Sequence, residues 1–467
     1  MFIKQLYTNC LSEAAYYIES NGEAAIIDPL RDTDPYIQLA KERRATIKYI
    51  FETHFHADFV SGHIDLSKAT NAPIIYGPST ETKFPVTVAA DGQIFPIGDI
   101  QIVVLHTPGH TIESTCYLLK DETGKNNAIF TGDTLFVGDV GRPDLLSGNL
   151  SKEDLAAMLY DSLQKKIMSL EDDVIVYPAH GPGSSCGKNL GTDTSSTIGE
   201  QKQTNYALKP QPKEDFIKAV TEGLPEVPNY FPINAQINKE GYESLDAVLH
   251  SGLKPLSVEE FKKQMDEDAV VLDTRPASEF TEGYIPGSAF IGLEGKFAEW
   301  AGSLLPFDKP FLLVTEAGKE RETVVRLARV GFSKIEGYLE GGFEAWKQAG
   351  EKTDLIINIE ADELAMDIPF DDNLVVVDVR KEIEFGDGHV KGAVNIPLSE
   401  MTDPASMANI EDKHNLYIHC ASGYRSVIAS SLLKRQGIHN LRNILGGWAK
   451  IKEEDKIEKE KDAAVLN

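Results

Sequence analysis

The sequence predicts a multidomain α/β protein. Three observations point there: an internal repeat, short β-rich runs alternating with helical patterns, and strand-like runs that end on His or Asp. The chain has 467 residues, a length that suggests about two to four domains. With 42% hydrophobic and 25% charged residues, each domain has enough apolar material to bury a core. The 46 basic and 73 acidic side chains leave a net charge of −27. Such a surface repels phosphate backbones and anionic lipid, so neither nucleic acid nor a membrane is expected as a partner. No apolar run approaches the roughly 18 residues of a spanning helix, and MFIKQLYTNC lacks the basic-then-apolar pattern of a secretory leader. The four cysteines, Cys10, Cys116, Cys186 and Cys420, are too few for a disulfide framework. They fit a reducing cytoplasm, where a special cysteine is reactive rather than structural. Cys10 and Cys116 sit in strand-like runs and are expected in the core.

The repeat sets the domain count. DTRPASEFTEGYIPGSA from Asp273 matches DVRKEIEFGDGHVKGAV from Asp378, with Arg275/Arg380, Phe280/Phe385, Gly283/Gly388 and Gly287/Gly392 all at one offset of 105. Gly341-Gly342 and Gly446-Gly447 keep that offset far downstream. The C-terminal half is therefore a tandem duplication, with units expected near 255–352 and 357–452. Each alternates β-rich runs (AVVLD, FLLV; LVVVD, LYIH) with helical patterns, which argues for a parallel sheet flanked by helices. The tail Lys452–Asp462 is nearly all charged and reads as a solvated or frayed end. The first domain is expected over about 1–245. Residues 182–255 look loop-rich, with Pro210, Pro212, Pro225, Pro228 and Pro232, and Thr197 to Glu200 fits a capping box opening a short helix.

In the first domain four strand-like runs deliver six ligand-type residues. IKYIF leads to His54, His56 and Asp58; PGHT carries His110; TGD carries Asp133; and YPAH carries His180. Neutral imidazole and carboxylate bind first-row metals, and loops at one end of a sheet can converge on an ion. His63 reads as a packing or hydrogen-bonding histidine. This pattern resembles the metallo-β-lactamase superfamily: H-x-H-x-D-H, then Gly-His, Gly-Asp and a late His. The resemblance covers about residues 1–205 and implies a four-layer αββα sandwich with metal at one edge. One position departs from it. Phe59 stands where the family has a histidine of the second ion, which favours a single ion. Two His, one carboxylate and open positions suit Fe(II) and O2.

Within the superfamily the chain is most similar to persulfide dioxygenases, which share T-H-x-H-A-D, PGHT, TGD followed by Gly141-Arg142-Pro143-Asp144, YPAH, and the S-T-x-x-E segment from Ser196 to Glu200. The resemblance implies one Fe(II) per chain held by His54, His110 and Asp133. His56, Asp58 and His180 would then orient water, substrate or ligand rings. Arg142 matches the family arginine beside the thiol substrate, with a structural salt bridge as the other reading. Tyr177 is a substrate-contact candidate or a buried strand-end tyrosine. Cys186, six residues after His180, is a sulfur relay or a small loop residue.

In the second repeat, Cys420 follows a buried strand in a tight loop that opens a helix, where backbone N–H groups and the helix dipole converge on sulfur. Arg425 closes that loop. Here the chain resembles rhodanese over about 360–450, through the D-V-R strand end, GHVKGAVNIP and C-x4-R. The short loop fits a sulfane sulfur, and Cys420 is expected to carry a persulfide. At the 105-residue offset Cys420 falls on Thr315 and Arg425 on Glu320, so the middle repeat is expected to be silent and to serve spacing, docking or dimer contact.

Together the resemblances imply a fusion of an αββα metallo-β-lactamase domain with two rhodanese-like α/β domains. The expected chemistry is oxidation of a low-molecular-weight persulfide, of glutathione or coenzyme A type, by O2 to sulfite and thiol. Cys420 would interconvert persulfide plus sulfite with thiosulfate plus thiol. A cytoplasmic homo-oligomer of sulfide metabolism is expected. The alternatives are a glyoxalase II-like dizinc thioester hydrolase, which Phe59 argues against, and a non-enzymatic sulfur carrier or sensor.

Overall fold

A computed structural model describes residues 1–145, 150–188, 190–401, 406, 410 and 414–462. The chain divides into two compact units, Met1–Ala247 with Leu327–Ser333, and Val248–Arg326 with Lys334–Asn467.

The first unit is built on two six-stranded sheets. One holds β1 (Phe2–Thr8), β2 (Glu13–Ser20), β3 (Glu23–Ile27), β4 (Thr46–Phe51), β5 (Ile74–Tyr76) and β6 (Thr87–Val88), in sequence order. The other holds β7 (Ile94–Ile97), β8 (Ile100–His106), β9 (Thr115–Lys120), β10 (Asn126–Gly132), β11 (Ile175–Pro178) and β12 (Ser196–Thr197). Alternation along each strand sorts side chains between two faces. Tyr16 and Ile18 of β2, with Tyr117 and Leu119 of β9, enter the core between the sheets. Ala15 and Tyr17 instead meet Tyr36 and Ala40 of the helix Asp34–Arg43. On the far side Cys116 and Leu118 of β9 pack with Ala156 and Leu159 of the helix Lys152–Ser162. The result is helix, sheet, sheet, helix. Burying each large apolar side chain of this kind contributes about 1.5–3 kcal/mol.

Residues 182–255 depart from the loop-rich expectation. They carry the helices Ile198–Thr204, Lys213–Thr221, Phe231–Glu240 and Leu245–Gly252. Their prolines mark helix starts: Pro212 is an N-cap, and Pro232 sits in the first turn of its helix, where a missing N–H costs nothing. The capping box is half formed. Thr197 accepts from the Glu200 amide at 3.2 Å, but the Glu200 carboxylate accepts from Ser196 at 2.6 Å instead of reaching back.

The second unit contains the duplication as two parallel sheets. The strands are β13 (Pro255–Leu256), β14 (Val270–Asp273), β15 (Ala289–Phe290), β16 (Phe311–Val314) and β17 (Ile335–Leu339), in the order β13-β17-β16-β14-β15. Then come β18 (Ile357–Ile359), β19 (Leu374–Asp378), β20 (His389–Val390), β21 (Val394–Asn395), β22 (Asn415–His419), β23 (Leu441–Ile444) and β24 (Lys459–Glu460). The second sheet runs β18-β23-β22-β19-β21, so the strand order repeats with the sequence. The charged tail is not frayed: β24 pairs antiparallel with β20, and Ile457 just before it is buried.

The repeated residues lock each domain in the same way. Arg275 and Arg380 are buried, each bonded to the aspartate two residues back and to a glycine carbonyl, Gly283 at 2.9 Å or Gly388 at 2.7 Å. Each guanidinium lies over an aromatic ring at the shared offset, Phe343 or Trp448. Across the repeats, Tyr424 donates to the Gly292 carbonyl at 2.7 Å, and Ser431 accepts from the Phe290 amide at 3.0 Å. The middle repeat thus braces the helix Tyr424–Arg435 that follows Cys420.

Candidate active sites

The C-terminal ends of β4, β8, β10 and β11 lead into loops that bring His54, His110 and Asp133 together, with ligand-type atoms all within 4.8 Å of one another. His110 Nε2 is 3.4 Å from Asp133 Oδ2, and His54 Nε2 is 3.8 Å from the same oxygen. His180 Nε2 lies 3.5 Å from the other Asp133 oxygen and 3.5 Å from Asp58. His56, Asp58 and His180 form a second group, and Asp133, His180 and Cys186 a third, within the same limit.

Each of three imidazoles is fixed at Nδ1, which leaves Nε2 facing the cluster. His54 Nδ1 contacts Thr53 Oγ1 at 3.0 Å, and that hydroxyl donates to Asp28 at 2.8 Å. His110 Nδ1 donates to the Arg142 carbonyl at 2.8 Å, and His180 Nδ1 to the Ser12 carbonyl at 3.1 Å. This is how metal-ligating histidines are oriented. Both Asp133 carboxylate oxygens, His180 Nε2 and one Asp58 oxygen are buried without a hydrogen-bond partner among the described residues. Buried acceptors left open in this way fit a cation at the cluster. Burial, then the neighbouring His56, His110 and His180 rings, hold the His54 imidazole well below its usual value, so it is a neutral donor at pH 7.

Two glycines permit the packing. Gly132 adopts φ +50°, and a Cβ there would meet the Thr53 side chain at 2.6 Å. A Cβ on Gly141 would come within 2.1 Å of the Asp133 carbonyl and 2.9 Å of His110 Nδ1.

His56 faces the other way. Its Nε2 is 3.1 Å from Asp28 and 3.5 Å from Glu52. Burial alone would push this imidazole down, but Asp28 and Glu52 outweigh it and hold it well above its usual value. Phe59, fully buried, lies against the His56 ring at 4.3 Å between centroids. His63 contacts Glu52 at 3.3 Å and stacks on Phe84.

The guanidinium of Arg142 is buried and doubly bonded to Asp144 at 2.7 and 2.8 Å, with further bonds to the Ser185 and Pro225 carbonyls. Its main-chain carbonyl, not its charge, meets the cluster. Tyr177 stacks on Phe130 and tilts against Tyr16 in the inter-sheet core. Cys186 is buried, and the nearby Asp58 and Asp133 add to burial in pushing its thiol well up.

Several contributors were not anticipated. Asn238, in the helix Phe231–Glu240, donates to the His56 and Phe59 carbonyls at 2.8 Å each and accepts from the Ser61 amide, clamping the H-x-H loop. Glu13 is fully buried with both carboxylate oxygens unpartnered among the described residues, and burial holds it well above its usual value. Asp28 and Glu52 stand behind His56. An Asn in a helical pattern or a Glu in a strand carries no distinguishing signal.

In the last domain Cys420 is buried at the end of β22 and accepts from the Gly423 amide at 3.1 Å, with Ser426 Oγ 3.6 Å from its sulfur. Gly423, at φ +115°, caps the helix Tyr424–Arg435. Arg425 is held by a bidentate pair with Glu384 at 2.7 and 2.8 Å, another partner the sequence reading missed. In the middle repeat Thr315 replaces the cysteine, and the Gly318 amide donates to Glu320 Oε1 at 3.2 Å.

Comparison with known proteins identifies the families of the domains that carry these residues. The metallo-beta-lactamase superfamily profile matches residues 8–180, and the rhodanese-like domain profile matches 257–349 and 360–454. A hydroxyacylglutathione hydrolase of Tolumonas auensis is 32% identical over 235 residues, 48% of this chain and 79% of that protein. The crystal structure of a metallo-beta-lactamase from Staphylococcus aureus subsp. aureus COL is 33% identical, with a TM-score of 0.65 over 73% of this chain and 98% of that one. That of ETHE1 from Myxococcus xanthus is 30% identical, with a TM-score of 0.45 over 51% and 98%. The chain belongs to the metallo-beta-lactamase superfamily, with its metallo-beta-lactamase domain followed by two rhodanese-like domains. Both families are enzyme families, and the described residues include no helix long and apolar enough to cross a membrane.

Proposed function

We propose that this chain is a non-haem iron persulfide dioxygenase fused to a sulfurtransferase, with functional parts at 1–245, 255–352 and 357–452. The observation that carries the reading is the contrast between two donor groups. His54, His110 and Asp133 form one group with Nε2 atoms and a carboxylate turned inward. The adjacent group has lost a donor to Phe59, whose ring occupies the space beside His56. Two imidazoles and one carboxylate with open positions suit Fe(II). When bound, the iron would supply the redox chemistry that couples O2 to oxidation of sulfur.

The overall reaction is RSSH + O2 + H2O giving RSH, sulfite and two protons, with a glutathione- or coenzyme A-type thiol as R. Thr53, the Arg142 carbonyl and the Ser12 carbonyl hold the imidazoles, and Asp58 and His180 border the open side. Arg142 is assigned to fixing its own loop through Asp144, and Tyr177 to the core. Cys186 is assigned to passing sulfane sulfur outward: the S–S bond of the small persulfide breaks, one to Cys186 forms, and the leaving thiolate takes the proton that Cys186 gives up. Cys420 takes sulfane sulfur in the same manner. Sulfite then attacks that sulfur, thiosulfate leaves and the Cys420 thiolate is regenerated, steadied by the Gly423 amide and the helix dipole. All four cysteines are unpaired, which suits a reducing cytoplasm.

A second reading, a dizinc thioester hydrolase, is favoured by the hydroxyacylglutathione hydrolase relative and by the His56, Asp58 and His180 group. Metal counting combined with an oxygen electrode separates them. One iron per chain with persulfide-dependent O2 uptake supports the dioxygenase. Two zinc ions, thioester hydrolysis and no such uptake refute it. Cys420→Ser is expected to abolish thiosulfate formation and leave O2 uptake intact.

A further inference from the structure

One ion in the first group leaves part of the cluster unanswered. Asp133 divides its carboxylate between two sides. Oδ2 faces His54 and His110 at 3.8 and 3.4 Å, whereas Oδ1 faces His180 Nε2 at 3.5 Å. Iron held by His54, His110 and Asp133 Oδ2 satisfies the first side alone. On the second side Asp133 Oδ1 and His180 Nε2 have no hydrogen-bond partner among the described residues, and both residues are at most 2% exposed. With Nδ1 donating to the Ser12 carbonyl, the neutral His180 ring presents a lone pair at Nε2 to the carboxylate oxygen. Two buried acceptors that face each other cost stability unless a cation comes between them.

A third donor comes from the chain that follows His180. Cys186 is buried, and its sulfur lies within 4.8 Å of the ligand atoms of both His180 and Asp133. Its main chain is pinned: the amide donates to Ser184 Oγ at 3.1 Å, and the carbonyl accepts from the Arg142 amide at 3.0 Å. Asp58 stands beside them, one oxygen 3.5 Å from His180 Nε2 and the other without a partner among the described residues. Donors about 2.0–2.3 Å from a tetrahedral ion stand about 3.3–3.7 Å from one another. The 3.5 Å between His180 and Asp133 matches that spacing. The group that lacks a histidine at Phe59 thus regains a donor from a different loop.

We propose that Asp133, His180 and Cys186 form a second cation site, for a thiophilic divalent ion of the zinc type, sharing Asp133 with the iron site. Thiolate selects a softer ion than the two imidazoles and carboxylate of the first group. Three protein donors leave one position open to water. On binding, the sulfur lone pair goes to the ion and the thiol proton to solvent. The inference rests on the reading above for iron in the first group, and the sulfur transfer assigned there to Cys186 belongs to the chain without the second ion.

The test uses the full iron-loaded chain carrying Cys420→Ser, which removes the other reactive thiol, with Co(II) and Zn(II) as probes under argon. One further equivalent of Co(II) is expected to bind with iron retained, giving a near-ultraviolet thiolate-to-cobalt charge-transfer band that Zn(II) bleaches and Mg(II) does not. Cys186→Ser in the same background should lose the band. It should also bind Co(II) at least about tenfold more weakly, since even an outer partner of a ligand is worth that much. A sulfur neighbour at the zinc absorption edge of the Zn(II)-loaded chain checks the same point without a Cys186 variant. No band, a band that survives Cys186→Ser, a zinc edge without sulfur, or iron released as cobalt is taken up overturns the proposal. If metal counting finds zinc instead of iron in the first group, the dioxygenase reading fails, while the Cys186 band still decides this site.

Discussion

Thr53 offers the sharpest test of the metal site, because one hydroxyl links a ligand ring to a buried carboxylate. Thr53→Val preserves shape and removes two contacts, the 3.0 Å bond from His54 Nδ1 and the 2.8 Å bond to Asp28. Thr53, His54 and Asp28 are each at most 2% exposed, so water cannot replace the hydroxyl. His54 Nδ1 and one Asp28 oxygen lose their partner at about 1–3 kcal/mol each, while the other Asp28 oxygen keeps the Thr53 amide at 2.8 Å. The expected loss of stability is therefore about 2–6 kcal/mol. Loss of a partner that orients a ligand imidazole lowers metal affinity by roughly 10–100-fold. Competition against a chelator of known affinity, with metal counted per chain, measures the second quantity, and urea denaturation the first. Thr53→Ser keeps the hydroxyl and should restore metal affinity to within about threefold. The reasoning fails if Thr53→Val holds metal as tightly as the native chain. It also fails if Ser, which keeps the hydroxyl, is as poor as Val, because the hydroxyl would then not be what sustains metal affinity.

Three further outcomes are expected. Burial lifts the Cys116 thiol from its ordinary value of 9.0 to about 11. The unfolded chain then releases its proton first, so stability falls between about pH 9 and pH 11 and is unaffected by this group below that window. At most about 3 kcal/mol is involved, and the slope difference between native chain and Cys116→Ala, from urea midpoints across that range, isolates it. Arg380→Ala strands the buried Asp378 and should destabilise the last domain by about 3–5 kcal/mol. Urea melts followed by tryptophan fluorescence measure that loss through Trp448, the one of the chain's three tryptophans that lies within 357–452. Gly423→Ala puts a Cβ at φ +115° and disturbs the amide that meets Cys420. Sulfurtransfer should drop about 5- to 150-fold, as a cost of about 1–3 kcal/mol implies, with O2 uptake unchanged as the internal control.

What was legible in the sequence was local and chemical. The runs IKYIF, IQIVVL, AIF and VIVY are strands, and the residues that end them converge, because strand ends at one edge of a sheet share one space. The duplication was legible because Asp273/Arg275 and Asp378/Arg380 form their ion pairs across two residues. What escaped depends on contacts distant along the chain. Asn238 reaches His56 from 182 positions away, and nothing in a polar helical stretch marks it. The helices of 182–255 were hidden by prolines, which break a helix interior but are welcome in its first turn. Arg142 carried two readings, a thiol-substrate contact and a structural salt bridge, and its guanidinium is bonded to the aspartate two residues on. The charged tail looked unstructured because Lys and Glu are surface residues, and an edge strand has a surface to present.

Two of the three histidine anchors, the carbonyls of Ser12 and Arg142, belong to the main chain. Point substitution changes side chains and leaves carbonyls in place. A mutational survey of this pocket would therefore register Thr53 and the ligands themselves and miss the direct part that two of the three anchors play in aiming the imidazoles. Shortening or lengthening the turns at Ser12 and Arg142 would disturb what no single replacement can. The same feature ties the aim of the imidazoles to the path of the chain: the carbonyls at 12 and 142 keep their bonds for as long as that path is kept, which at 142 the pair with Asp144 secures.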